Sequence, residues 1–130
     1  MDELGEKLGT SFTPLPINLV QGFPQSFAFL FDGRTYHFTL YANVAAHLLD
    51  DRPEFISVPT DEAFLVCRVE HELADTTREV IFLRKIVPQL QYEAENIKLL
   101  FSEHRIARDN LNGQGEHGTQ LVGGIARRWE

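Results

Sequence analysis

The sequence predicts a mainly β domain, a small antiparallel barrel or sandwich with at most one or two short helices. Three observations carry that expectation. Two alternating apolar runs flank Asp32-Gly33, and three later segments rich in β-branched and aromatic residues are separated by short polar breaks. Ten Phe, three Tyr and one Trp give far more aromatic bulk than a disordered chain carries, so these segments are expected to fold.

A chain of 130 residues with 43% hydrophobic residues closes one core without disulfides or metal, so residues 1–130 are expected to form a single domain. The formal charge of -7 opposes broad contact with a phosphate backbone or an anionic membrane, which argues against nucleic acid and membrane partners. Cys67 stands alone, so no intrachain disulfide framework is available. Residues 1–10, MDELGEKLGT, lack the basic and apolar blocks of a secretory signal, and no apolar run approaches the ~20 residues of a membrane helix.

The elements follow in order. Residues 1–10 hold little that must be buried and read as a flexible N-terminal arm. Thr13, Pro14, Leu15, Pro16 and Ile17 form an extended lead-in suited to a sheet edge or an arm, because each proline lacks a donor and biases its predecessor away from helix. Residues 25–41, QSFAFLFDGRTYHFTLY, read as a β-hairpin. Asp32-Gly33 supplies the positive-φ residues of a two-residue type I′ turn, and that turn places Phe31 opposite Arg34. Continuing the register sets Phe27 against Phe38 and Phe29 against Tyr36 on an aromatic face, with Ser26, Ala28 and Leu30 meeting Thr39, His37 and Thr35 on the reverse. This hairpin is expected at the centre of the domain.

Residues 43–51, NVAAHLLDD, are compatible with a short helical turn that Arg52-Pro53 would stop. Residues 55–58, 63–72 and 79–87 read as three strands, and the FLVCRV run within the second has so few polar interruptions that it is expected to be central and covered on both faces. Residues 91–112 fit two patterns. Ile97, Leu100, His104, Ala107 and Leu111 recur at helical spacing, whereas Ile97, Leu99 and Phe101 alternate as in a strand; a strand over 97–101 with an irregular continuation is the preferred reading. Gly113, Gly115, Gly118, Gly123 and Gly124 are expected to break the C-terminal segment, 113–130, into loops, with residues 121–129 able to form a last short strand.

Candidate chemistry is sparse. GQGEHG at 113–118 matches the G-x-G-x-x-G phosphate-binding pattern, but only twelve residues follow Gly118, too few for the helix and second parallel strand that the motif requires. Cys67 and His71 share a strand face as a thiol–imidazole pair would, yet their Cα atoms would stand ~13 Å apart at ~3.3 Å per residue, beyond hydrogen-bond reach. His37, His47, His71, His104 and His117 show no chelating spacing, and the carboxylates beside three of them, in Glu70-His71-Glu72, Glu103-His104 and Glu116-His117, point to opposite strand faces. Asp50, Asp51, Asp61 and Glu62 sit in loop-like segments without a fixed separation. The Phe27, Phe29, Tyr36 and Phe38 face is richer in Phe than a ligand platform and fits core packing better. No catalytic, metal or cofactor residues are therefore assigned, and the chain is expected to be non-enzymatic.

Residues 23–43, FPQSFAFLFDGRTYHFTLYAN, resemble the opening of the small phage baseplate plug proteins of contractile tails: an extended proline-containing lead-in, a strand, an Asp-Gly turn and a strand ending in an aromatic residue and an Asn. The resemblance covers that stretch alone. It implies a β-rich virion component, made in a host cytoplasm and repeated within a tail or baseplate, whose partners are other tail or baseplate proteins and further copies of itself. Arg127, Arg128 and Trp129 are then the candidate interface, since Trp and Arg are common anchors of protein contacts. The alternative expectation is a small β-barrel that binds a carbohydrate or other small ligand.

Overall fold

The computed structural model describes residues 12–18, 21–45, 55–57, 59–60, 63–107 and 120–129. Among them are nine strands and no helix: β1 (Thr13–Pro14), β2 (Gln25–Phe31), β3 (Arg34–Val44), β4 (Phe55–Ser57), β5 (Ala63–Glu72), β6 (Arg78–Ile86), β7 (Gln91–Ala94), β8 (Ile97–Ala107) and β9 (Gln120–Arg127). They form two antiparallel sheets. One has the order β1-β9-β8-β4, with β7 also on β8; the other has the order β2-β3-β5-β6. The sheets stay separate, so of the two expected architectures the sandwich is the one formed. No helix among the described residues is long and apolar enough to cross a membrane.

The β2–β3 hairpin adopts the expected register pair by pair, from Phe31 opposite Arg34 to Gln25 opposite Leu40. Asp32 and Gly33 take φ values of 52° and 78°, the left-handed pair that a type I′ turn needs. Phe27 stacks on Phe38 with ring centroids 5.1 Å apart, and Ser26 Oγ lies 3.1 Å from Thr39 Oγ1 on the reverse face. The hairpin is not central, however. β3 is an inner strand, paired with β5 from Tyr36–His71 to Val44–Ala63, whereas β2 is the edge of its sheet. Burial follows that difference: Tyr36, Phe38 and Leu40 are each about 1% exposed, while Phe27, Phe29 and Phe31 are partly buried against the same core.

The core fills the space between the sheets. Ala63, Leu65, Cys67 and Val69 of β5 with Phe82 and Ile86 of β6 meet Tyr92, Ile97, Leu99, Phe101, Leu121 and Ile125 from the other sheet. Phe82 and Tyr92 make an edge-to-face contact at 5.4 Å across that boundary. The Tyr92 hydroxyl accepts the Val87 N–H at 2.8 Å and donates to the Lys85 carbonyl, so one ring closes the core and pins the chain between β6 and β7. β6 follows β5 with an irregularity after Val69: Phe82 faces Val69 but Val80 faces Glu70, which leaves Ile81 as an extra residue packed on the core.

Three sequence expectations change here. β5 is central in its sheet, but only one of its faces is fully buried; the other, with Phe64, Val66, Arg68, Glu70 and Glu72, is half-buried. The strand buried on both faces is β8, where residues 97–102 are all buried. Its second face packs Leu100 with Phe12 and Ala126, and Lys98 Nζ lies 5.8 Å from the centroid of the Phe12 ring. Lys98 and Ser102 interrupt the apolar run in sequence while being buried in the fold, which hides β8 from a hydrophobicity pattern. Of the stretch 91–112, which fitted two patterns, residues 91–107 form the β7–β8 hairpin, with an irregularity between Ser102 and Arg105, and residues 108–112 lie outside the described residues. Lastly, Gly123 and Gly124 do not break the chain. They lie in β9 opposite Phe101 and Leu100. A Cβ on Gly123 would stand 2.9 Å from Phe101 Cε1 and 3.1 Å from Ile17 Cδ1, so glycine is there for close approach.

The lead-in behaves as expected for an edge: β1 pairs with β9, and the Leu15 N–H extends that pairing to the Gly123 carbonyl at 2.9 Å. The expected helical turn at 43–51 begins inside β3, and its remainder from 46 onward lies outside the described residues, as do the N-terminal arm at 1–10 and the glycine motif at 113–118.

Candidate interaction site

Two features that are far apart in sequence meet at one end of the sandwich. The turn at Asp32-Gly33 ends the β2–β3 hairpin of one sheet, and Arg127 ends β9 of the other, with Arg128 and Trp129 in the turn that follows. Arg127 Nη2 lies 3.2 Å from Asp32 Oδ1 and ties the ends together. Both side chains are about half exposed, so this pair contributes ~0–1 kcal/mol and serves mainly to orient the two ends.

Arg128 continues the alignment onto the β7–β8 turn. Its N–H donates to the Asn96 carbonyl at 2.9 Å, Nη1 donates to the Glu95 carbonyl at 3.2 Å, and Nε lies 3.5 Å from Glu93 Oε2. Its guanidinium stands 5.1 Å from the centroid of the Trp129 ring, close enough for a cation–π contact. Trp129 is nevertheless 75% exposed, the most exposed of the large apolar side chains among the described residues. Beside it is a hollow of about 290 Å³ lined by Asp32, Arg34, Tyr36, Asn96, Arg127 and Trp129. Burial, opposed by the nearby Arg34 charge, raises the Tyr36 hydroxyl above its ordinary range, so it remains a neutral phenol at the floor of the hollow.

Of the residues selected from sequence, Asp32, Gly33, Arg127, Arg128 and Trp129 thus belong to one region. Arg34, Tyr36 and Asn96 were not selected. The hairpin register puts Arg34 directly across the turn, which was a usable signal; Asn96 had none, because the left-handed residue in its turn is Glu95, at φ 51°, rather than a glycine. A second hollow of about 520 Å³ lies along β7, lined by Arg84, Leu90, Gln91, Tyr92 and Glu93.

Among the described residues, those weighed for catalysis do not assemble. Cys67 is fully buried, and burial pushes its thiol well above its ordinary pKa, away from the thiolate that nucleophilic chemistry needs. The His71 ring lies 3.0 Å from Glu79 Oε1, and His37 Nε2 lies 3.3 Å from Glu72 Oε1 on the opposite face of the sheet. No three of His, Cys, Asp and Glu come together as a metal site among the described residues. His47, His117, Glu116, Asp50, Asp51, Asp61 and Glu62 lie outside the described residues, as do the side chains of Glu103 and His104.

The site is therefore an aromatic and guanidinium surface on the end of a two-sheet β-sandwich, suited to recognition. Compared with known proteins, the chain matches no family model, no curated protein and no solved structure.

Proposed function

We propose that the chain is a non-enzymatic structural subunit of a phage or phage-like tail or baseplate, acting through protein–protein contacts at this end of the sandwich. The observation that carries the reading is Trp129, 75% exposed in the turn that follows β9, with the Arg128 guanidinium over its ring and the Arg127–Asp32 pair two residues before it. A large, rigid aromatic side chain displayed beside guanidinium groups has the composition of an interface anchor. The tail setting rests on the resemblance of residues 23–43 to the baseplate plug proteins, the stretch that forms the β2–β3 hairpin.

The test is co-assembly of the full chain with phage tail tube, hub and baseplate proteins, using the native sequence and Trp129→Ala. The native chain should enter a complex of defined mass and the variant should bind at least about 30-fold more weakly, the loss of a 2 kcal/mol anchor. A folded chain that binds none of those proteins overturns the reading.

The second reading is binding of a carbohydrate or other small ligand. The 290 Å³ hollow favours it, because an exposed indole beside Asp32, Asn96 and Arg127 joins a flat apolar surface to polar groups that can orient a ligand. Saturable glycan binding that Trp129→Ala abolishes would favour this reading over assembly.

A further inference from the structure

Sheet edges carry N–H and C=O groups without a neighbouring strand, and folded proteins blunt them by shortness, charge, proline or bulges. Most edges here are blunted. β1 has two residues and contains Pro14, β4 has three residues, and β7 has four. β6 carries Arg78, Glu79, Arg84 and Lys85 and pairs irregularly with β5. β2 has none of these devices. It is seven residues long, QSFAFLF, without charge, internal proline or irregularity, and no described strand pairs with its outer side.

The turn determines which backbone groups face that open side. In a two-residue hairpin the residues flanking the turn exchange both hydrogen bonds, and bonding alternates from there. Phe31, Phe29, Phe27 and Gln25 therefore direct their backbone groups to β3, and Ser26, Ala28 and Leu30 direct theirs outward.

We propose that β2 is the seam of a two-fold dimer of this chain, pairing antiparallel with β2 of a second copy about Ala28 and joining two four-stranded sheets into one. The occupant is a second copy because the edge is complementary to itself. With Ala28 on the axis, Ala28 faces Ala28 and Ser26 faces Leu30, so each of the three outward residues donates one hydrogen bond and accepts one. The smallest side chain of the strand falls where identical residues meet. The absence of charge on β2 matters in a chain of net charge -7, since self-pairing here brings no like charges together across the ladder.

The side chains gain on both faces. Leu30, now 71% exposed, would lie beside Ser26 and diagonally over Ala28 of the second copy. On the inward face Phe27 would meet Phe29 of the second copy, covering rings that a lone sandwich leaves partly open. This seam uses backbone groups of β2 and not the Trp129 side chain, and it does not depend on the tail-subunit reading.

The experiment is sedimentation velocity over a concentration series, with amide hydrogen exchange, on the full chain and on Ala28→Pro and Leu30→Lys. Proline at position 28 removes the central outward N–H without touching the ladder to β3, and lysine at position 30 adds a charge to the seam. The native chain should sediment as a dimer with slow exchange at Ser26, Ala28 and Leu30, and both variants should sediment as monomers with native far-UV circular dichroism. If Ala28→Pro does not fold, Leu30→Lys, at an exposed position, decides alone. A native monomer whose three amides exchange freely overturns the proposal, even if a partner's strand later protects them; so does a dimer that no folded variant weakens.

Discussion

Gln25 is 3% exposed, and its amide is fully used: Oε1 accepts the Asn18 N–H at 3.0 Å, and Nε2 donates to the Asn18 and Gly22 carbonyls at 2.9 Å each. One side chain therefore clamps the backbone that leads into β2. Gln25→Leu keeps most of the volume but leaves the buried Gly22 carbonyl without that donor, and should cost about 1–3 kcal/mol in urea unfolding. Unchanged stability would show that water replaces the clamp. Gln25 was visible in the sequence only as the first residue of a strand. Its role was not, because the groups it satisfies belong to a loop whose path is set by the rest of the fold.

At the scale of elements, Gly33 and Gly123 separate two reasons for glycine. At Gly33 the φ is 78° and a Cβ would meet nothing within 4 Å, so Gly33→Ala should cost about 1–2 kcal/mol through backbone conformation alone. At Gly123 the obstacle is the Phe101 ring at 2.9 Å, so Gly123→Ala should cost about 1–3 kcal/mol through overpacking. Adding Phe101→Leu should recover part of the second loss and none of the first, as a double-mutant cycle by thermal unfolding would measure. The β2–β3 register was legible because Asp32-Gly33 encodes its turn locally. The β7–β8 hairpin was not, since Glu95 takes the left-handed conformation without a residue type that announces it.

Across the whole molecule, β9 lies between β1 and β8 and buries Leu121, Ile125 and Ala126. The end of the chain is thus divided: residues 120–127 are structural, and Trp129 is displayed. A chain ending at residue 119 should lose cooperative unfolding and the dispersion of its amide spectrum, because β1 loses its pairing partner and β8 loses a neighbour. One ending at residue 127 should keep both while losing the Trp129 surface. Retention of a cooperative transition without residues 120–130 would contradict the arrangement of this sheet.

By itself the sequence determined a mainly β domain, most strand positions and the pairing of β2 with β3, because side-chain alternation and turn conformation are local properties of the chain. Tertiary structure decided that β2 is an edge, that β8 rather than β5 is buried on both faces, that the sheets remain open as a sandwich, and that Asp32 meets Arg127. Each of these depends on which strands neighbour one another and how two layers pack. Residues distant in sequence settle those matters through burial and shape, which leave no periodic mark on any one segment.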